Sequence, residues 1–150
     1  MSHPVQRILV TVAGHQVDEE TVRLACRMAS RFHGEGKEPA QLYAVHVIEV
    51  TRSLPLSAPV ESQVEHGEEI LDGVEQIAGE YNLTVETEMV QARDTGPAIV
   101  GEADAWQATL IVMGLPYKRR FGEFNTGKTV PYVLKHASCR VILFRERLDD

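Results

Sequence analysis

The chain has 150 residues, the length of one domain with a core of its own, and 43% of them are hydrophobic. Its 22 acidic residues outnumber 15 basic ones for a formal charge of −7, with four Tyr, four Phe and one Trp, so no broad cationic face for nucleic acid is expected. Cys26 and Cys139 lie far apart and form no C-x-x-C pair, which argues against a disulfide framework or structural zinc and for a reducing, cytoplasmic compartment.

In chain order, Arg7 to Val12 is a short apolar run ending at Ala13-Gly14, the pattern of a fully buried parallel strand. Asp18 is read as the cap of a helix whose Val22, Ala25, Ala29 and Phe32 recur at helical spacing, with Arg31, His33 and Gly34 at its end. Leu42 to Ile48 reads as a second strand, followed by the loop TRSLPLSAP, which is expected to be mobile. From about Val60 to Tyr81, the stripe Val64, Ile70, Leu71, Val74, Ile77 and Ala78 marks a second helix. Leu83 to Val90 alternates apolar and polar residues as a sheet-edge strand does. A third helix is expected over Asp94 to Gln107, a fourth strand over Leu110 to Met113, a fourth helix over Lys128 to His136 and a fifth strand over Arg140 to Arg145. No repeat or low-complexity tract breaks the chain, so residues 1–150 read as a single domain. No stretch approaches the roughly 18 apolar residues of a membrane span, and MSHPVQRILVTVAG has no long apolar leader, so no direct membrane insertion is expected. The chain is also compatible with being part of a larger protein.

Alternating strands and helices specify an open parallel sheet of the α/β class with helices on both faces, because parallel strands need crossovers. In such sheets ligands bind outside the strand C-termini where the strand order reverses. The candidate region is therefore Val12-Ala13-Gly14, the end of the second strand near Val47, and the chain after Met113.

That region contains GEFNTGKT, residues 122–129, which matches the phosphate-loop pattern G-x-x-x-x-G-K-[ST]. The context is wrong for a phosphate-loop hydrolase. Basic loop residues Tyr117 to Phe121 precede it instead of a strand, and no later strand ends in an Asp to hold magnesium. Pro131 falls in the first turn of the following helix, where donors are unpaired in any case.

Over a wider window, Gly114, then Tyr117 three residues on, then nine residues to Gly127-Lys128-Thr129, resembles the nucleotide motif G-x2-G-x9-G-[ST] of the universal stress protein family. The resemblance covers nearly the whole chain. RILVTVAG is similar to the family's opening strand, AVHVIE to its second, TLIVMG to its fourth, and VPYVLKHASCRVILF to its closing helix and strand. It implies a five-stranded parallel sheet of order 3-2-1-4-5, of the adenine nucleotide alpha hydrolase-like kind, commonly in a homodimer through the last strand. It also implies a site for ATP, AMP or a related adenine nucleotide in some members. The closing segment also resembles domains appended to some bacterial amino-acid permeases, which implies a transporter or another protein as a partner.

Carried over position by position, Gly114 and Gly127 stand where the family brings backbone amides to phosphate, and Val47 where its second strand packs against the adenine; Val12 offers similar apolar surface. Three positions depart from the pattern. Ala13 replaces the family's ribose-contacting Asp, Tyr117 its second glycine, and Lys128 its Ser/Thr, with Thr129 one place late. The lost acceptor and the added ring work against a nucleotide. Lys128 at a helix N-terminus, with Lys118, Arg119 and Arg120 nearby in sequence, suits phosphate.

The other chemistry is sparse. Six histidines, at 3, 15, 33, 46, 66 and 136, form no metal-binding spacing, and no G-x-S-x-G elbow is present. His46 is expected as a hydrogen-bonded core residue, His15 at the mouth of the site, Trp106 as an anchor against the sheet, and both cysteines as packing residues. No metal and no catalytic residue is expected. Two functions stand side by side: a nucleotide-responsive binding module, and a dimerisation or interaction domain with an empty site, such as the soluble regulatory part of a transporter. A slow ATPase using Thr129 and a recruited metal ranks third.

Overall fold

A computed structural model describes residues 6–31, 39–58, 60–116, 119–120, 123–124 and 127–146. Tyr117, Lys118, Phe32, His33 and Gly34 lie outside the described residues. Five parallel strands form the main sheet: β1 (Arg7–Thr11), β2 (Gln41–Glu49), β3 (Val85–Ala92), β4 (Leu110–Pro116) and, last in the chain, β7 (Arg140–Glu146). Their spatial order is β3-β2-β1-β4-β7. This is the expected 3-2-1-4-5 arrangement, with β1 central between β2 and β4.

The sheet is sandwiched because its strands are apolar on both faces. Ile8, Val10, Leu42, Ala44, Leu110 and Val112 point to one side, where they pack with Val22, Ala25, Leu71 and Val74 from α1 (Val17–Arg31) and α2 (Glu61–Glu80). The alternate positions Leu9, Tyr43, Val45, Ile111 and Met113 face Ile99, Ala103, Val130 and Val133 of α3 (Thr95–Trp106) and α4 (Thr129–His136). This period-two division places half of each strand under each helix pair. Trp106 serves as the expected anchor: its ring lies 5.0 Å from that of Tyr43, and the Arg7 guanidinium sits 4.2 Å above it while donating to the Trp106 carbonyl.

Several boundaries differ from the sequence reading for reasons of pairing. β3 starts at Val85 instead of Leu83, because Val85 pairs with Leu42 at the start of the ladder and left-handed Asn82, at φ 57°, turns the chain out of α2. Pairing through Pro116 and Glu146 extends β4 beyond Met113. The basic segment contains β5 (Arg119–Arg120), paired antiparallel with β6 (Glu123–Phe124). Among the described residues of the phosphate-loop match, the strand is the two-residue β6 of this antiparallel pair and not a strand of the parallel sheet. The loop after β2 is tied to the sheet edge: Gln91 Nε2 donates to the carbonyls of Leu56 and Ala58, and the Arg93 guanidinium to those of Val50 and Thr51.

Candidate functional site

At the C-terminal ends of β2, β1 and β4 a cleft of about 330 Å³ opens between the starts of α3 and α4. It lies where the strand order reverses on either side of β1, as the α/β rule requires. Its walls are apolar: Val12, Val45, Val47, Ile99, Met113, Leu115 and Val130 line it. Thr11, Ala13, His15, Glu49, Thr95, Gly114 and the run Gly127 to Thr129 supply the rest.

Seven of the eight sequence-assigned positions, Val12, Ala13, Val47, Gly114, Gly127, Lys128 and Thr129, meet in this cleft. The eighth, Tyr117, is outside the described residues. Gly127 has φ 69°, and a Cβ built on it would meet nothing within 4 Å, so backbone conformation alone favours glycine there. Gly114 is different. A Cβ there would lie 2.4 Å from Thr21 Oγ1 and 3.1 Å from Val17 Cγ1, so the glycine lets α1 seat against β4 as well as lining the cleft.

The start of α4 presents a cation and a helix N-terminus to the cleft. Lys128 precedes the first helical residue, Thr129, and the first-turn N–H groups of any helix lack intrahelical acceptors. Pro131 in that turn contributes no N–H. Lys128 Nζ lies 3.4 Å from Asp94 Oδ1 at the start of α3, and both side chains are exposed, at 76% and 44%. The lysine therefore sits at the cleft mouth in a loose pair that an incoming anion can replace.

Asp18 does not cap α1 as its sequence position suggested. It is the second residue of the helix, and its Oδ2 reaches back to accept from the N–H groups of Ala13 (3.0 Å) and Gly14 (2.7 Å). Those two amides are thus satisfied by the protein's own carboxylate, which clips the end of β1 to α1. Burial pushes the Asp18 carboxyl above its ordinary value, opposed by the hydrogen bonds from Gly14 and Ala13. A raised folded-state pKa means that the native protein holds this proton to higher pH than the unfolded chain, so the contribution to stability falls as pH rises from about 3.8 through the raised value. Asp18→Asn keeps an oxygen for both N–H groups without burying a charge. The unfolding free energy of the variant relative to the parent is expected to rise across that window, as followed by urea denaturation. A difference that stays flat with pH would contradict this reading.

Glu49 was not singled out in the sequence. Its Oε1 accepts from the Thr95 N–H (3.0 Å) and from the Thr95 hydroxyl (2.7 Å), covering the start of α3 with a carboxylate that lines the cleft. Its signal is an acid at the last position of a buried strand, two residues beyond Val47. His46 is a core residue as expected, 7% exposed, with Nδ1 2.9 Å from the Val12 carbonyl; that bond makes Nδ1 the protonated nitrogen. His15 is exposed at the cleft mouth. Among the described residues no group of three or more His, Cys, Asp or Glu is placed to hold a metal.

The model of the universal stress protein family matches residues 4–145. The chain belongs to that family. A universal stress protein of Methanocaldococcus jannaschii is 27% identical to it over 147 residues, 94% of this chain and 82% of that protein. The universal stress protein from Archaeoglobus fulgidus in complex with dAMP has the same fold, with TM-score 0.69 and 22% identity over 94% of this chain and 98% of the other. A universal stress protein family protein from Arabidopsis thaliana with AMP bound superposes with TM-score 0.63 at 12% identity, over 95% and 92% of the two chains. The fold assigned from the sequence is thus the family's, and among the described residues no helix is long and apolar enough to cross a membrane.

Proposed function

We propose that this universal stress protein is a binding module for an adenine nucleotide, AMP or ATP, held in the cleft at the C-terminal ends of β1, β2 and β4. The observation that carries the reading is the convergence of an apolar slot with one cationic helix start: Val12 and Val47 offer surface to a base, while Lys128 and the first turn of α4 face the same space. Support comes also from relatives of the same fold whose structures hold dAMP and AMP. The amides of Ala13 and Gly14 are occupied by Asp18, so phosphate belongs at the α4 end.

The role is binding and regulation in the cytoplasm, not catalysis. The hydroxyl–carboxylate pair of Thr95 and Glu49 in the cleft also closes the start of α3, a structural task, and it takes no catalytic part in this reading. Calorimetric titration of nucleotide-stripped protein with AMP, ADP and ATP, with and without magnesium, tests the reading. Saturable binding at micromolar concentration or tighter is expected, and absence of both heat and thermal stabilisation would sink it.

A second reading concerns partners. β7 is the outer strand of the sheet, and it carries Leu143 at 37% exposure, while Leu134 on neighbouring α4 is 53% exposed. An open strand edge beside exposed leucines suits pairing with a second copy of the chain, or with another protein such as a transporter. Sedimentation equilibrium of Leu143→Glu against the parent separates these. A parent dimer that becomes a monomer supports the homodimer; a monomeric parent removes it.

A further inference from the structure

We infer that Glu49 determines which base the cleft accepts, by taking a hydrogen bond from an exocyclic amine; this rests on the nucleotide reading above. Glu49 closes β2, two residues after Val47, so both belong to the same strand face, and both line the cleft. The carboxylate is held by its Oε1 alone: the Thr95 N–H and hydroxyl donate to that atom at 3.0 and 2.7 Å, and neither bond uses Oε2. Two donors on one oxygen fix the group and leave the second oxygen for a further donor. An ionised carboxylate only accepts, so a ligand atom that meets it has to carry hydrogen.

The sheet order determines which end of a nucleotide arrives there. α4 follows β4 in the chain, whereas Glu49 ends β2 on the far side of β1; the Lys128 side chain reaches from α4 to Asp94, beside the Thr95 that Glu49 holds, and a phosphate at the α4 start would draw it back. The two sides are separated by two inter-strand spacings, roughly 10 Å. A nucleotide whose phosphate sits at the first turn of α4 extends its base along Val47 toward Glu49. An amino-substituted ring offers Glu49 two N–H donors. A ring with a carbonyl in that place sets lone pairs against the carboxylate, and polar mismatch of this kind discriminates far more than a missing methylene does. Ala13, at the end of β1 between the two sides, supplies no competing acceptor from its side chain.

The test measures affinities of AMP, dAMP and the hypoxanthine analogue IMP for the parent and for Glu49→Gln. Glutamine retains an oxygen for Thr95 and can either donate to or accept from the base. The parent is expected to prefer AMP over IMP by about tenfold, since Glu49 is solvent-exposed and the discrimination stays well short of that of a dry site. In Glu49→Gln the preference is expected to shrink to about threefold or less, with the AMP to dAMP ratio and the melting temperature little changed. Equal affinity of the parent for AMP and IMP, or a preference that survives in Glu49→Gln, overturns the assignment. A change confined to the AMP to dAMP ratio overturns it too, by giving Glu49 to the ribose. If none of the three nucleotides binds, the nucleotide reading itself is wrong and the Glu49 assignment fails with it.

Discussion

Replacing Gly114 by alanine is expected to cost about 2 to 3 kcal/mol of folding stability, at the upper end for overpacking a core site. The new Cβ would lie 2.4 Å from Thr21 Oγ1 and 3.3 Å from Thr21 Cβ. Thr21 has nowhere to go, because it is fully buried and its hydroxyl donates to the Val17 carbonyl at 2.7 Å. Nor can β4 move away from α1, since it is hydrogen-bonded to β1 on one side and β7 on the other. The Thr21→Ala change removes the colliding oxygen while the Val17 carbonyl keeps its place in the helix. In a double-mutant cycle by urea denaturation, Gly114→Ala with Thr21→Ala is expected to be more stable than the sum of the single losses by at least about 1 kcal/mol, as contacting sites couple. Additive losses would mean that the Gly114 requirement has another origin. The glycine that the sequence suggests for phosphate approach is thus also demanded by helix packing, whether or not a ligand is present.

Lys128→Ala is expected to weaken nucleotide binding by about 1 to 3 kcal/mol, the range for a charge-assisted contact. Folding stability is expected to change by less than about 0.5 kcal/mol, because the ion pair with Asp94 is exposed on both sides and such pairs contribute little. The separation of the two effects is the diagnostic. Asp94→Asn frees Lys128 from its present partner and removes a negative charge from the mouth, so it is expected to tighten binding where Lys128→Ala loosens it. Calorimetry on both variants checks this. Unchanged affinity in Lys128→Ala would move the phosphate away from the α4 start.

The parts of this molecule that were legible in its sequence are those whose signals are local and repeated. The apolar runs of β1 and β4 are buried on both faces, so they announce central strands, and the alternation in β3 announces an edge. Val12 and Val47 could be placed together because strand ends in a parallel sheet converge, while Gly114 and Gly127 were placed by the resemblance to the family's nucleotide motif. Asp18 was misread because a helix-capping signal is judged from neighbours in sequence, whereas its carboxylate turns back toward the end of β1. Glu49 and Asp94 were missed for a related reason. Each acts on a residue 46 or 34 positions away, through contacts that exist only once β2, α3 and α4 have come together. The departures Ala13 and Lys128 are legible as letters, but their meaning depends on Asp18 taking the neighbouring amides and on Lys128 facing the cleft.

The most direct measurement is an amide shift map of the ¹⁵N-labelled protein titrated with AMP. The expected result is saturable movement of the backbone signals of Val12, Ala13, Val47, Gly114 and Gly127 to Val130, with the far ends of the strands unmoved. No movement at saturating concentration, or movement confined to Glu69, Ile70 and Ile77 in the groove between α1 and α2, would contradict a nucleotide site at the strand ends.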